Sequence, residues 1–390
     1  MLVPDSTASN EDYAKRAVEL GHGIISTMEH GNQGCYIEGY NLARDSNLKF
    51  VFGAEAYWVK DRTLPDPTNG HIYIGARNEN GRQCINDVLS EANLTGFYKR
   101  PRIDLPLLFS LPRDDVIVTS ACVAFWKYDD IENIVQELAQ HFGKNFFLEV
   151  QYHLTDSQKQ LNRRILQIRD RLKIPIIMGC DSHYIFPAQS RDRDDFLLSK
   201  GIHYEDEEGW FLDYPDGDEA YNRFERQGVL TRDQIDEAMS NTNTFLDVET
   251  YDSEVFNTSL KLPTLPHMKG WTQQQRDEAY ERIVWQGWER YRNKVSEELH
   301  PLYISEIQNE IDSVKECHMA DYFLIDYEIV KRGKEMGGML TTTGRGSAVS
   351  FITNMLLGFT EVDRIAAKVK MYPDRFMTAT RILEAGTLPD

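Results

Sequence analysis

From the N-terminus to about residue 200, the apolar positions switch repeatedly between two periods. Residues 10–20 carry apolar side chains at three- and four-residue spacing and end at Gly21, which predicts a helix; the apolar run IIST after them predicts a short strand. The alternation continues with a helix over 35–44 and strands at KFVFGAEAYWV and HIYIGA. It goes on with a helix over 81–92, a strand at VIVTSA and a helix over 131–141. A strand at NFFLEVQYH, a long helix over 156–172 and a strand at PIIMGCDSH complete it. Repeated strand–helix units imply an α/β fold with a mainly parallel sheet, either open or closed into a barrel.

The pattern changes near residue 205. EDEEGWFLDYPDGDE is acidic and rich in turn formers, and residues 218–250 read as two short helices with Thr231 and Asp233 as start signals. LKLPTLPHMKGW, with two prolines and a glycine, predicts a linker. Residues 272–335 are strongly helical. A glycine-rich turn, GGMLTTTGRGSAVS, then leads into the apolar helix FITNMLLG.

Length and charge narrow the function classes. A chain of 390 residues suggests two or three domains. No apolar run reaches the ~18–20 residues of a membrane span, and the opening MLVPDSTASNEDY has neither the basic nor the apolar part of a signal peptide. We therefore expect a cytoplasmic protein with no membrane partner. A formal net charge of −19 argues against phosphate contacts on average, though a basic channel can sit on an acidic protein and carboxylates suit divalent ions. The five cysteines are widely spaced with no CxxC pair, so neither a disulfide framework nor a zinc ribbon is expected.

Candidate chemistry gathers at strand ends. His30, Glu55, Cys122, Asp181 and His183 fall at or just past the C-terminal ends of expected strands, the face where α/β barrels collect functional groups. His71 stands at the start of its own strand, and Asp5 in the first turn. Imidazole, carboxylate and thiolate together suit zinc, manganese or iron. Within an expected strand, Asp181 and His183 share a face. A single loop histidine is usually only solvated and a cysteine after a strand usually a small buried hydrophobe. Recurrence at the same place in successive units is what favours a metal site.

A second constellation is TTTGRGSAVSF. Two glycines flank Arg345 and Ser347 follows, which suits an anion: close backbone approach, N–H groups free at a helix start, and added Arg and Ser donors. It is neither a Walker A motif nor a dinucleotide fingerprint. An ordinary capped helix start is the plainer reading.

Taken in order, EHGN, GAEAYW, His71 with the apolar strand after it, ARNENGRQCINDVLSEA, GFYKRPRID, TSACV, FFLEVQ and GCDSHY resemble the PHP domain of C-family DNA polymerases, the bacterial DNA polymerase III α subunit. HMADYFLIDYEIVKRGKEMG, the GRGSA turn, LLGFTEVD, DRFM and LPD resemble the start of that family's palm. The resemblance implies a distorted (β/α)7 barrel over 1–204 with a helical extension over 205–265. A nucleotidyltransferase-like palm would follow over 266–390, stopping before the catalytic aspartates. It marks Asp5, His30, Glu55, His71, Cys122, Asp181 and His183 as metal-ligand positions, with Zn2+ or Mn2+ as occupants, in a site that is a 3′–5′ exonuclease in some members and structural in others. The family's opening HxH would lie upstream of Met1. In the palm, Gly344, Arg345, Gly346 and Ser347 would touch the triphosphate of an incoming dNTP, with Arg375 as a further basic contact and Mg2+ as the ion of polymerisation. DNA primer–template, a clamp and a proofreading subunit are the implied partners. Val349-Ser350-Phe351 after the turn, DRFM and TATRILEAGT depart from the family's wording, as in a divergent, phage-encoded member.

Overall fold

The computed structural model describes residues 6–68, 70–202, 209–251, 255–256, 263–340 and 344–384. The chain divides into two compact units, Met1–Phe256 and Asn257–Asp390.

The first unit is built on eight strands: β1 Ile24–Thr27, β2 Lys49–Trp58, β3 Gly70–Ala76, β4 Phe97–Tyr98, β5 Arg100–Ile103, β6 Val116–Thr119, β7 Phe146–Val150 and β8 Ile176–Met178. They run in the order β4-β5-β2-β3-β6-β7-β8, with β1 beside the first half of β2. Pairs β1–β2, β2–β5, β6–β7 and β7–β8 are parallel. The sheet is mainly parallel, as expected, with β3 as the exception within it: it runs antiparallel to both β2 and β6. The cause is the connection. Residues 59–68 form no helix, and a parallel return needs a crossover of a dozen or more residues.

Alternation sorts the two faces. Phe50, Phe52, Ala54, Ala56 and Trp58 of β2 bury against the helices with Ile72, Ile74, Val118, Leu148 and Ile176 in the main core. On the other face, Val51, Ile117, Phe147 and Ile177 close around Val248, with Ile24 and Phe245 against them, and fill the floor of a curled, half-barrel sheet. Further along, the inward positions turn polar: Glu55 and Tyr57 on β2, Tyr73 and His71 on β3, Thr119 on β6, Glu149 on β7. That switch from apolar floor to polar rim defines the site. The free edge of β8 is covered by the helix Arg232–Asn241. Asn241 Nδ2 donates to the Ile176 carbonyl at 2.7 Å, and the Ile176 N–H donates to Glu237 at 3.4 Å.

Most expected elements form within a few residues of their expected bounds, and the helix Asp156–Leu172 matches at both ends. One differs in a way that matters. β8 stops at Met178, so Asp181-Ser182-His183 is a loop and not part of a strand; Asp181 has φ +49°. The β4–β5 hairpin and the helices Leu105–Leu108 and Ser190–Ser199 were not expected.

The second unit packs the helices Gln273–Tyr291, His300–Glu316, Ala320–Glu335 and Ile352–Leu357 around Tyr280, Val284, Trp288, Ile307, Phe323 and Phe351. Thr272 and Gln275 form a reciprocal capping box at the start of the first of these. No helix among the described residues is long and apolar enough to cross a membrane.

Candidate metal centre and phosphate-binding turn

The antiparallel course of β3 explains the one candidate ligand that stood at the wrong end of its strand. Because β3 runs backwards, its first residues lie at the same rim as the last residues of β2 and β6. His71 therefore faces Tyr57 and stands beside Glu55. His30 reaches the same place from the loop after β1. The Gly31 N–H donates to the Glu55 carbonyl at 2.9 Å and the Glu55 N–H to the Glu29 carbonyl at 3.1 Å, so the EHG segment is tied to β2.

Here His30, Glu55 and His71 converge, each offering one ligand atom within 4.8 Å of the others. His30 Nδ1 lies 3.1 Å from Glu55 Oε2, and His71 Nδ1 lies 3.0 Å from Glu55 Oε1. Burial alone would push the Glu55 carboxyl up, but the two imidazoles outweigh it and hold the group well below the usual carboxylate range. Two nitrogens and an ionised oxygen at this spacing fit a borderline transition ion such as zinc or manganese better than calcium.

The other expected ligands fall into three groups. Cys122 touches the triad, with Sγ 3.3 Å from His71 Nδ1 and 3.8 Å from Glu55 Oε1. Its thiol is pushed well up by burial and then by the Glu55 charge, so in this arrangement it is a protonated neighbour of the triad. Asp181 lies within electrostatic reach of His183, Glu55, His30 and His71 but outside the close set; burial raises its carboxyl, and His183 offsets part of that. His183 Nδ1 sits 2.8 Å from the Asp181 carbonyl, which orients the ring. The His183 carbonyl accepts from Ser6 Oγ at 2.9 Å and from the Thr7 N–H at 3.0 Å. Asp5 lies outside the described residues.

Sequence reasoning missed Glu149. It points inward from β7, one layer beside the triad, where Thr119 Oγ1 donates to it at 2.7 Å and Gln151 Nε2 at 3.1 Å. Burial pushes its carboxyl up to about 7. Gly179 leaves room for it, since a Cβ there would lie 1.9 Å from Glu149 Oε1. The available signal was a lone carboxylate at an alternate position of an otherwise apolar strand, FFLEV.

In the second unit the GRGS turn differs from expectation. Ser347 is followed by a tight turn, Ala348–Ser350, and only then by the helix Ile352–Leu357. The first N–H groups of that helix are not free for a ligand. Those of Ile352 and Thr353 donate to the Glu310 carboxylate at 2.9 and 2.8 Å, and Arg364 grips the same carboxylate at 2.6–2.8 Å. The side chain took the orphan donors that a phosphate would otherwise use. What remains for an anion is the turn itself. Gly344, Arg345 and Gly346 are exposed, and Ser347 is half-buried. A Cβ on Gly344 would strike Val349 at 2.1 Å, and Gly346 has φ +80°, so both positions need glycine. Arg375 is exposed in the Pro373–Arg375 turn, and the next residue, Phe376, packs edge-on against Phe351 at 4.9 Å.

Residues 1–153 match the family model of the PHP domain, and residues 278–389 match that of the bacterial DNA polymerase III alpha NTPase domain. The DNA polymerase III subunit alpha of Helicobacter pylori strain J99 is 25% identical over 415 residues, covering 97% of this chain and 33% of that protein. The corresponding subunits of Borreliella burgdorferi and Aquifex aeolicus are 24% and 25% identical, each covering 99% of this chain and 33% and 34% of theirs. The chain thus spans about a third of the length of the relatives it matches. Two ordered family matches and similarity along nearly the whole chain make it similar to about a third of the bacterial DNA polymerase III α subunit, with a stretch like the PHP domain followed by one like that family's NTPase domain.

Proposed function

We propose that the chain serves DNA synthesis and that its two units divide the chemistry. The first unit holds a divalent ion for phosphoester hydrolysis at a nucleic-acid end. The second cradles the triphosphate of an incoming deoxynucleotide. Primer–template DNA and dNTPs are the substrates, and a clamp and a proofreading subunit are the protein partners on this reading.

The observation that carries the hydrolytic half is the convergence of His30, Glu55 and His71. These three would hold the ion, with Cys122, Asp181 and His183 around it. Zinc or manganese suits this donor set, whereas Mg2+ belongs with the carboxylates and phosphates of polymerisation. Such an ion supplies Lewis-acid polarisation of a phosphoryl oxygen and a nucleophile at neutral pH. Glu55 stays ionised and orients both imidazoles. Glu149, whose carboxyl is pushed up to about 7 by burial in the metal-free chain, is a further acid on the same inner face.

For the second half, Gly344, Gly346 and Ser347 offer a close-approaching backbone and a hydroxyl, and Arg345 and Arg375 offer charge. Glu310 fixes the helix behind the turn instead of leaving it to the ligand.

The test is release of mononucleotides from single-stranded DNA by the chain loaded with manganese or zinc. We expect release that His71→Ala abolishes and Ser347→Ala leaves intact, and dNTP binding that Ser347→Ala weakens and His71→Ala leaves intact. A metal-loaded chain with no hydrolysis would make the first unit a structural platform and overturn the hydrolytic half.

A further inference from the structure

We propose that Arg100 and Tyr57 form a phosphate grip at the mouth of the metal site, the group that holds the phosphoester of a nucleotide substrate against the ion. This rests on the hydrolytic reading above and names the part of that site that binds substrate.

Four observations place the grip. Tyr57 is the last inward residue of β2, two positions past Glu55. Its ring stacks on His30 at 5.5 Å with an interplanar angle of 23° and meets the edge of His71 at 5.4 Å. The ring is therefore a wall of the metal triad. Arg100, at the start of β5, donates from Nη1 to Tyr57 Oη at 2.7 Å, and its Cζ lies 4.7 Å from the same ring centroid. The next residue, Pro101, packs close against Gly31, the neighbour of His30, which fixes the start of β5 over the metal loop.

The electrostatics make Arg100 unusual. The neighbouring Arg102 is buried and spends its guanidinium on the carbonyls of Arg62, Leu64, Asp66 and Gly96, as a structural arginine should. Arg100 is exposed, and among the described residues no carboxylate pairs with it, on a chain with 62 acidic residues. A phenol hydroxyl is a neutral anchor. It sets the direction of the guanidinium and leaves its charge and most of its N–H groups unspent. A planar, permanently charged fork with fixed direction matches the non-bridging oxygens of a phosphoester. A surface arginine merely resting on an aromatic ring would need neither the hydrogen bond nor a ring that also packs against His30 and His71.

The test uses the full chain loaded with manganese and titrates thymidine 5′-monophosphate and inorganic phosphate by calorimetry, with metal content measured on each sample. Arg100→Ala should bind thymidine monophosphate about 10- to 100-fold more weakly, the loss of one charge-assisted contact. Arg100→Lys should fall between. Tyr57→Phe, which keeps the ring and loses the anchor, should weaken binding about threefold. Metal content should be unchanged in all three. Equal affinity in Arg100→Ala and wild type, or no binding by a loaded wild type, would overturn the grip and leave the metal reading standing. Arg100-dependent binding by a wild type that carries no metal would do the reverse.

Discussion

Glu149 shows what a single residue can hide. It reads in sequence as one acid in an apolar strand, yet it points to the inner face of the sheet, half-buried, with a carboxyl raised to about 7. Its folded value exceeds the ordinary 4.5, so the folded chain holds a proton that the unfolded chain releases. That contribution is fully present below about pH 4.5 and is lost as pH rises through 7, a swing of roughly 3 kcal/mol. Metal-free Glu149→Gln should therefore melt several degrees above the metal-free parent at pH 8 and close to it at pH 4.5, as circular dichroism melts at both pH values would read. A variant that melts lower at pH 8 would mean that hydrogen bonds from Thr119 and Gln151 outweigh the charge. At Gly179 the constraint is steric: Gly179→Ala should displace Glu149 and lower the melting temperature at either pH. Among the metal candidates, the structure brings together His30 from the loop after β1, Glu55 from the last four residues of β2 and His71 from the start of β3. Asp181 and His183 do not share a strand face as expected, because β8 ends at Met178 and Asp181 takes a left-handed turn.

At the scale of elements, local patterning located strands and helices but not strand direction. β3 and its neighbours carry the same apolar alternation whichever way they run; direction follows from a connection too short for a crossover helix. The helix Ile352–Leu357 teaches a related point. Its N-terminus reads as an anion site, but the residue that occupies it, Glu310, lies more than 40 positions earlier in the chain and no local pattern reveals it. Glu310 is 1% exposed and bonds two backbone N–H groups and Arg364. Glu310→Ala would leave Arg364 buried without its main partner, although Glu306 also reaches Arg364. It should cost about 3–5 kcal/mol in urea unfolding of the second unit, because removing one member of a buried pair strands the other. A loss under 1 kcal/mol would show that the helix is held by its apolar face alone.

Among the described residues, the first unit has a main core and a smaller cluster on the inner face of its sheet, and the second unit has a core around its helices. A ligand that binds only the folded state raises stability where it binds. Calorimetric scans of the metal-loaded chain should accordingly show one transition that a chelator shifts downward and one that it leaves in place. The family-scale organisation was legible because many short motifs keep their order along nearly the whole chain, a constraint far stronger than any one motif. The chemistry was legible only in part, because a site forms where side chains from distant strands meet.

The most direct test of the account is elemental analysis of the purified chain after equilibration with zinc or manganese, run beside Glu55→Gln and His71→Ala. The account predicts at least about one tightly held ion per chain, lost from both variants while their circular dichroism stays that of the parent. A parent chain that holds no ion, or variants that hold as much as the parent, would contradict it.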